Sequence, residues 1–497
     1  MKKKNIFIFI IISLLFVLPM LITQSANDDF LTHVSRLYNL SLSFKNGNFN
    51  PYMYETCYNN FGYPFGIFYP DTFLKPFSFL CYLGIPEYYC MIIMLFVINF
   101  FTLFVPYYLF SKCKINKANI ISIIYFLYPY RFWDYYKRCS LGELLAFIFI
   151  PLIIYGIYKI FKENKNSFTL FLGMWGLIHS HILSVFMTTI ILIIFYTCNI
   201  KQIKNELNIL KYTIINAIIT LATSIDVILP ILEAQIIENL RYESDTSFMG
   251  TLNENAIYII NPNNLLYTIV FIILIMCVYF LFKNKNMLIK QTLLLTILCI
   301  ISTNLFNWNI IIKIIPFLNI IQFPWRFLIF ASIPFTYLIY MLNKKFPIKN
   351  FIIIFLLLSE LLFSVGLSYV YYKYDFEIMS SNIGAGDYLN DEVDTNNLSF
   401  FKHIDELKEK NVVITNNGYI PMFYYHNYKI IDNKKTYSYE NKNGLIFIPE
   451  LENKNIEVYI IYQNTIIQNF SYIISIISWV IFILYFLYNL NMKVKEI

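Results

Sequence analysis

Charged residues are scarce in this sequence. Asp, Glu, Lys and Arg make up 14% of its 497 residues, against 58% for apolar residues, and the mean hydropathy is +0.56. Soluble globular domains carry roughly 25% charged residues, so this composition excludes a water-soluble domain. Apolar runs near or above about 18 residues recur along the chain, and each is long enough to cross a bilayer. We therefore predict a polytopic helical membrane protein.

Several chemical motifs are missing as well. The sequence contains no glycine-rich nucleotide-binding loop, no Walker motif and no cytoplasmic globular domain, which argues against a nucleotide-sugar donor. Its eight cysteines follow no metal-site or disulfide spacing, although Cys57 and Cys81 could pair if their loop is extracytoplasmic. No nucleic-acid partner is expected.

The apolar runs predict about twelve transmembrane segments. The first run follows Met-Lys-Lys-Lys and lacks a small-residue cleavage site, so we interpret it as an uncleaved span with a cytoplasmic N-terminus. Every predicted cytoplasmic turn carries two or three lysines, as the positive-inside rule requires. The predicted spans are residues 5–22, 88–111, 118–130, 143–161, 168–180, 182–198, 211–232, 263–282, 287–304, 325–342, 349–372 and 470–490.

This topology predicts a multi-pass protein of the plasma membrane with both termini in the cytoplasm. It depends on residues 168–198, which form either one long span or two short ones. A single span would move every later lysine-rich turn outside, so two spans meeting at "HSH" are favoured. Residues 24–87 and 373–469 then lie outside. Alternating apolar residues and Asn-Gly turns in the second segment predict a small β-rich or α/β domain before the last span.

The stretch "NDDFLTHVSR" carries dense chemistry at a predicted outer surface. Residues 29–45 are predicted to form an amphipathic helix on the membrane surface, ended by Asn46-Gly47. Asp29, His33 and Arg36 follow an i, i+4, i+7 spacing and share the polar face. Either this face belongs to a reaction site, or Asp29 caps the helix and the polar face only contacts water.

Three arginines lie at predicted outer ends of spans. Arg131 and Arg138 belong to "YPYRFWDYYKRCSLGE", the one short outer turn rich in positive charge, and such groups suit a phosphate or pyrophosphate. Arg326 lies in "QFPWRFL", after a proline-containing stretch that could be re-entrant. The alternatives are an aromatic-belt turn and snorkelling to headgroups. His179 and His181 point to different helix faces, which disfavours a shared metal site, but one of them could lie near the mouth of a cavity.

The acidic pair Asp28-Asp29 before an amphipathic helix resembles the GT-C class of integral-membrane glycosyltransferases. Five motifs resemble bacterial multispan proteins labelled 6-pyruvoyl-tetrahydropterin-synthase-related, a group similar to YfhO-type membrane proteins. The chain shows no cytosolic synthase domain and no zinc-ligand histidine set, so the pterin label does not predict its activity. The motifs are "DDFLTHVSRLYNLSLSFKNGNF", "FGYPFGIFYP", "RCSLGELLAFIFIPLI", "HSHILS" and "QFPWRFL".

With the predicted topology, the resemblance implies an all-α, polytopic GT-C-like fold. Its transmembrane domain would comprise residues 1–372 and include the outer loop 24–87. A small extracytoplasmic domain would follow at 373–469. The last span and a cytoplasmic end would occupy 470–497.

The resemblance also implies a reaction. A sugar would move from a polyprenyl-phosphate-linked donor to a cell-envelope glycan or protein at the outer face. Inverting transfer needs a carboxylate that takes the acceptor proton, and cations that stabilise the phosphate leaving group. Asp28 or Asp29 would be the base, or the two would bind a divalent metal. Glu143 would orient Arg138. The implied substrate-binding residues are His33, Arg36, Arg131, Arg138, Glu143, His179, His181 and Arg326.

The alternative is a non-catalytic membrane protein for export or assembly of cell-envelope polysaccharide or lipid. An exporter would place charged residues inside its spans, where they line a route across the bilayer. Asp226, Glu233 and Glu360 are the few candidates, whereas charge concentrates at the predicted outer surface. This distribution favours surface chemistry over transport.

Overall fold

The chain folds into mainly helical structure with a small antiparallel β segment near its C-terminus. It divides into two compact units, unit 1 with residues 1–30, 92–216 and 244–374, and unit 2 with 31–91, 217–243 and 375–497. The computed structural model describes residues 3–26, 28–55, 57, 61–238, 240, 286–302, 306–345, 352, 354–362, 372–373, 388–393, 412–432, 435–454 and 456–495.

Among the described residues, five helices are long and apolar enough to cross a membrane. A sixth span is present if two helices joined by a 69° bend, Leu207–Thr223 and Ile225–Ile237, count as one. The expectation of a helical membrane protein is confirmed at this level. The five helices are Lys3–Thr23, Glu87–Lys112, Leu141–Glu163, Pro324–Lys344 and Ile466–Tyr488.

The predicted number of about twelve spans is not confirmed, because several predicted spans form short helices. A straight helix needs roughly 20 apolar residues to cross the hydrocarbon core. Residues 263–282 and most of 349–372 lie outside the described residues. The short helices at predicted spans are Ala118–Phe126, Thr169–Ile178, Ile182–Cys198 and Asn286–Ile301.

Unit 1 is held together by close helix packing. Leu141–Glu163 packs against Thr169–Ile178, and Asn286–Ile301 packs against Leu328–Lys345. At Gly176 an added Cβ would come within 2.2 Å of the Phe149 ring. Only glycine therefore lets Leu141–Glu163 and Thr169–Ile178 pack this closely. Small residues serve this purpose in membrane helices, where van der Waals contact drives association. The shorter elements here are the helices Pro129–Trp133, Ile200–Asn205 and Trp308–Ile314, the π-helix Asp134–Arg138, the 3₁₀ helices Pro316–Ile321 and Pro324–Phe327, and the paired strands Ser25–Ala26 and Tyr372–Lys373.

Unit 2 contains the β segment, as predicted from the C-terminal sequence. One sheet has four strands, in the order Val412–Ile414, Glu457–Tyr462, Tyr428–Ile431, Thr436–Tyr437. The other has three, in the order Tyr419–Phe423, Leu445–Phe447, Glu440–Lys442. All of these pairings are antiparallel. Asn443 and Gly444 take φ values of 58° and 76° between two strands, which is the left-handed conformation that tight hairpin turns require.

The helices of unit 2 include Phe65–Phe68 and Lys75–Tyr82, and Ile225–Ile237 packs against the long C-terminal helix Ile466–Lys495. The predicted helix at 29–45 is present as Asp28–Lys45 and ends before Gly47, whose φ is +80°. On its polar face Asp29 is partly exposed, whereas His33 and Arg36 are buried like Val34 and Leu37 of the apolar face. At these two residues the polar face therefore contacts protein and not water. That part of the prediction is wrong.

Candidate functional site

A sharp turn in unit 1 brings two oppositely charged residues together. The π-helix Asp134–Arg138 ends at Cys139, which has a left-handed φ of 57° and donates its backbone N–H to the Asp134 carbonyl at 2.6 Å. The helix Leu141–Glu163 begins two residues later, with Glu143 in its first turn. Such a φ is uncommon outside glycine and often accompanies functional positions. The turn places the Arg138 guanidinium beside the Glu143 carboxylate.

Three carboxyl groups surround Arg138. One guanidinium nitrogen donates to Glu143 Oε1 at 2.9 Å and lies 3.5 Å from Asp134 Oδ1, and the other lies 3.7 Å from Asp29 Oδ2. Aromatic rings of Trp133 and Phe323 lie 5.7 and 5.8 Å from the guanidinium carbon. The cation is therefore held from several sides, and the positively charged head has little freedom to move. We call Asp29, Asp134, Arg138, Glu143 and Arg326 the Arg138 cluster.

Glu143 connects the two arginines of this cluster. Its Oε1 also accepts from Arg326 Nε at 3.1 Å, and its Oε2 accepts from the Tyr130 hydroxyl at 2.5 Å. The Glu143 side chain is fully buried. A buried carboxylate needs such charge-assisted partners to offset the loss of hydration. The predicted contact between Glu143 and Arg138 is present.

Arg326 is fixed by its own segment as well. It donates to the Ile321 carbonyl at 2.9 Å and to the Gln322 side-chain oxygen at 3.2 Å. The Phe323 ring lies 4.8 Å from its guanidinium carbon. The residues around Arg326 form two short 3₁₀ helices, Pro316–Ile321 and Pro324–Phe327. The guanidinium therefore points to Glu143 and does not reach out freely to lipid headgroups.

Asp29 differs from the other two carboxyl groups in its exposure. Its side chain is 43% exposed, whereas the side chains of Asp134 and Glu143 are fully buried. Its contact with Arg138, at 3.7 Å, is the longest of the three. Asp29 is thus the most exposed carboxylate of the cluster. The side chain of Asp28 lies outside the described residues.

The two histidines of "HSH" separate at the break between Thr169–Ile178 and Ile182–Cys198, as predicted. The His181 ring packs on Gly142, where an added Cβ would come within 2.8 Å of it, and its Nδ1 lies 2.7 Å from Ser184 Oγ. Burial lowers the pKa of His181 to about 3, against the opposing effect of Glu143, so the ring is neutral at pH 7. His179 instead pairs with the Trp175 carbonyl at 3.0 Å. Of these two histidines, only His181 lies next to the Arg138 cluster.

The structure does not bring Arg131 into this cluster. Arg131 is fully buried, and its guanidinium donates to the side-chain oxygen of Asn99. The Phe126 ring lies 4.0 Å from its guanidinium carbon. These contacts match those of a buried structural cation. Its predicted role as a phosphate ligand remains a prediction.

His33 and Arg36 belong to a different network, in unit 2. Arg36 donates to Asp71 Oδ1 at 2.8 Å and to the Tyr69 carbonyl at 3.1 Å, and one of its nitrogens lies 3.3 Å from His33 Nδ1. The second Asp71 oxygen accepts from the Tyr54 hydroxyl. The network ties the helix Asp28–Lys45 to the loop that precedes Lys75–Tyr82. Its geometry is that of a buried ion pair.

Sequence reasoning did not find Asp134, Tyr130 or Asp71. Asp134 could have been found, because it precedes Arg138 by four residues, the spacing of helical ion pairs. Asp71 lies 35 residues from Arg36, and no local pattern connects them. In the part of the chain that the structure describes, no group of three or more His, Cys, Asp or Glu side chains could hold a metal ion.

Comparison with known proteins adds no relative to this picture. No family model, curated protein or solved structure matches the chain.

Proposed function

We propose that the protein is an integral-membrane glycosyltransferase-like enzyme with its reaction site at the Arg138 cluster. The observation that carries this proposal is the pairing of Asp29 with Arg138: a solvent-exposed carboxylate beside a guanidinium held by buried groups. Sugar transfer from a lipid phosphate requires one group that accepts a proton and one that stabilises negative charge. Asp29 provides the first group and Arg138 the second, and the two side chains lie 3.7 Å apart.

Asp29 is the proposed base. A general base must be ionised and must reach the acceptor hydroxyl, and Asp29 is the exposed carboxylate of the cluster. Its partner Arg138 places a positive charge 3.7 Å from the Asp29 carboxylate. When the donor phosphate takes over Arg138, Asp29 is released to accept the hydroxyl proton. Asp28 remains the second candidate, by its place in the sequence.

Arg138 is the proposed ligand of the phosphate leaving group, and Arg326 acts with it through Glu143. A guanidinium can donate two parallel hydrogen bonds to a phosphate. Because Glu143 and the aromatic rings already fix Arg138, little conformational freedom is lost when the phosphate binds. Preorganised charge of this kind stabilises a transition state more than mobile charge does.

The donor class comes from the sequence resemblance to GT-C enzymes, together with the membrane-spanning helices. A polyprenyl-phosphate-linked sugar is a membrane lipid, so a protein with several apolar helices can meet it in the bilayer. The proposed acceptor is a cell-envelope glycan or protein at the outer face of the plasma membrane. The lysine distribution predicts that both termini lie in the cytoplasm.

The test is a comparison of lipid-linked sugars. Polyprenyl-linked sugars would be extracted from cells that contain the protein, cells that lack it, and cells that contain the Asp29→Asn variant at equal abundance. The proposal predicts that one lipid-linked sugar accumulates both without the protein and with the variant, because its consumption has stopped. Identical lipid profiles in all three would contradict the proposed donor class.

A second candidate function rests on the internal pairing of the charges. Arg138 and Arg326 each contact a buried carboxylate, which is also what a purely structural ion-pair network would show. A non-catalytic protein for export or assembly of cell-envelope polysaccharide or lipid would need no free base. In that case Asp29→Asn would leave the cellular function intact, whereas loss of the whole protein would not.

A further inference from the structure

Asp134 stands apart in the Arg138 cluster because it is buried without hydrogen bonds. Its side chain is fully buried, and neither carboxyl oxygen has a hydrogen-bond partner within the part of the chain that the structure describes. Its contact with Arg138, at 3.5 Å, is an ion contact without hydrogen-bond geometry. A buried ionised carboxylate that lacks hydrogen bonds carries a large desolvation cost, which is much smaller for the neutral acid.

The charges around Asp134 favour the neutral acid as well. Arg138 from its own helix and Arg326 from the 3₁₀ helix Pro324–Phe327 oppose Glu143 of the helix Leu141–Glu163 and Asp29 of the helix Asp28–Lys45. Among the described side chains, three carboxyl groups of the cluster thus face two guanidiniums. One proton on the cluster brings it to neutrality, and the fully buried, unpartnered carboxyl is the group that holds it at least cost.

We infer that Asp134 carries a proton at neutral pH and acts as a positioning residue that keeps the positive charge of Arg138 available to an incoming anion. Ionised, Asp134 would compete with that anion for Arg138 from the buried side. Protonated, it fills the same space without charge. The protonation state is inferred from the burial of Asp134, its missing hydrogen bonds and the surrounding charges, and only its use in anion binding rests on the proposed function.

The direction of the pKa shift of Asp134 agrees with a protonated side chain. Burial is the largest cause that raises the pKa of the Asp134 carboxyl well above its ordinary value, followed by the Glu143 carboxylate; Arg138 opposes them. Asp134 lies in the π-helix before the span Leu141–Glu163, outside the membrane-spanning segments.

A neutral isostere gives a sharp test. Asparagine has the shape of a protonated aspartate, so Asp134→Asn should fold and should be at least as stable as the wild type at pH 7, measured as the thermal unfolding midpoint. Glu143→Gln is the matched control, since it makes the same chemical change at a carboxylate that two arginines hold in the ionised form. It should lose stability and activity. If Asp134→Asn is as impaired as Glu143→Gln, Asp134 is ionised and the inference is wrong.

Infrared spectroscopy tests the proton directly and needs no enzymatic activity. The purified full-length protein should show a protonated-carboxyl C=O band at pH 7 that is missing from Asp134→Asn and unchanged in Asp29→Asn. The buried Glu360 can contribute to the same region, so the variant difference is the quantity measured. In the wild type, this band should persist at pH 7 and disappear only at higher pH. Absence of an Asp134-dependent band, or a wild-type band already lost below pH 6, would overturn the inference.

The two measurements separate this inference from the proposed function. An Asp134-dependent infrared band in a protein without any transfer activity would support the protonated carboxyl and contradict the enzyme. An active enzyme that lacks the band would support the proposed function and contradict the protonated Asp134 carboxyl.

Discussion

Arg326 Nε donates to Glu143 Oε1 at 3.1 Å, although the two residues lie 183 positions apart in the chain. This hydrogen bond joins the first turn of the helix Leu141–Glu163 to the segment that begins Pro324–Lys344, two of the helices able to cross a membrane. Glu143 also accepts from Arg138. One buried carboxylate therefore fixes both arginines of the candidate site.

Glu143→Gln should destabilise the protein strongly. The substitution keeps the size of the side chain but leaves the buried Arg326 and the largely buried Arg138 without their common carboxylate. Breaking a buried ion pair from one side costs about 3–5 kcal/mol. The thermal unfolding midpoint of the purified protein in detergent would be measured. Glu163→Gln, at the other end of the same helix and paired with the partly exposed Lys159, is the control and should cost no more than about 1 kcal/mol. Equal shifts in the two variants would show that the Glu143 contacts contribute little.

Arg138→Lys should weaken binding of a lipid phosphate. A guanidinium donates two parallel hydrogen bonds to phosphate, whereas an ammonium acts as a point charge, so the loss should be roughly 1.5–3 kcal/mol. Arg326→Lys should show a smaller loss, because it acts through Glu143. Both variants would be titrated with a polyprenyl-phosphate analogue in nanodiscs, with Lys159→Arg as the control. If all three bind like the wild type, the arginines are structural anchors.

The pH dependence of stability should carry the signature of Asp134. The pKa of Asp134 in the folded protein is raised above the ordinary value of 3.8. At pH values between the unfolded and the folded pKa, the folded state therefore binds more protons than the unfolded state. The contribution of Asp134 to stability is therefore fully present below pH 3.8 and is lost as pH rises toward the folded pKa. One group can contribute at most about 1.4 kcal/mol per pH unit. Asp134→Asn should show a flatter decline of the unfolding midpoint between pH 5 and 9, and parallel curves would be inconsistent with a raised pKa.

Cysteine labelling tests the predicted topology. In a cysteine-free background, Lys165→Cys should be protected from an impermeant reagent in intact cells, because the lysine-rich turn is predicted to be cytoplasmic. Asn48→Cys and Asn416→Cys should be labelled, because their segments are predicted to lie outside. All three positions are exposed. Labelling at Lys165→Cys would reverse the orientation and remove the candidate site from the outer face.

Local features of the fold were predictable from the sequence, and long-range contacts were not. The helix Asp28–Lys45 was predicted to within one residue, because its apolar periodicity and its Asn-Gly stop are local signals. The β segment was predicted from its alternation and turn residues in the same way. The burial of Arg36 was missed, because a polar helix face looks the same whether it meets water or a buried carboxylate such as Asp71.

The candidate site was predictable only in part. Asp29, Arg138, Glu143 and Arg326 were all named from the sequence, and the structure brings these four together. Their pairing was not predictable, apart from Arg138 with Glu143, because no sequence pattern relates positions so far apart. The short helices among the predicted spans show a similar limit: hydropathy measures apolar length, and it does not show where a helix breaks.

A reconstituted transfer assay measures whether Asp29 is the base of a sugar-transfer reaction. The purified protein would be placed in proteoliposomes with polyprenyl-phosphate-linked sugars and envelope acceptors, and transfer would be followed for the wild type, Asp29→Asn, Asp28→Asn, the double variant and the control Glu163→Gln. General acid–base catalysis typically contributes about 10²–10⁴-fold, so Asp29→Asn and the double variant should lose activity by that factor. Glu163→Gln should remain fully active. Full transfer by the Asp29→Asn and double variants would contradict the account.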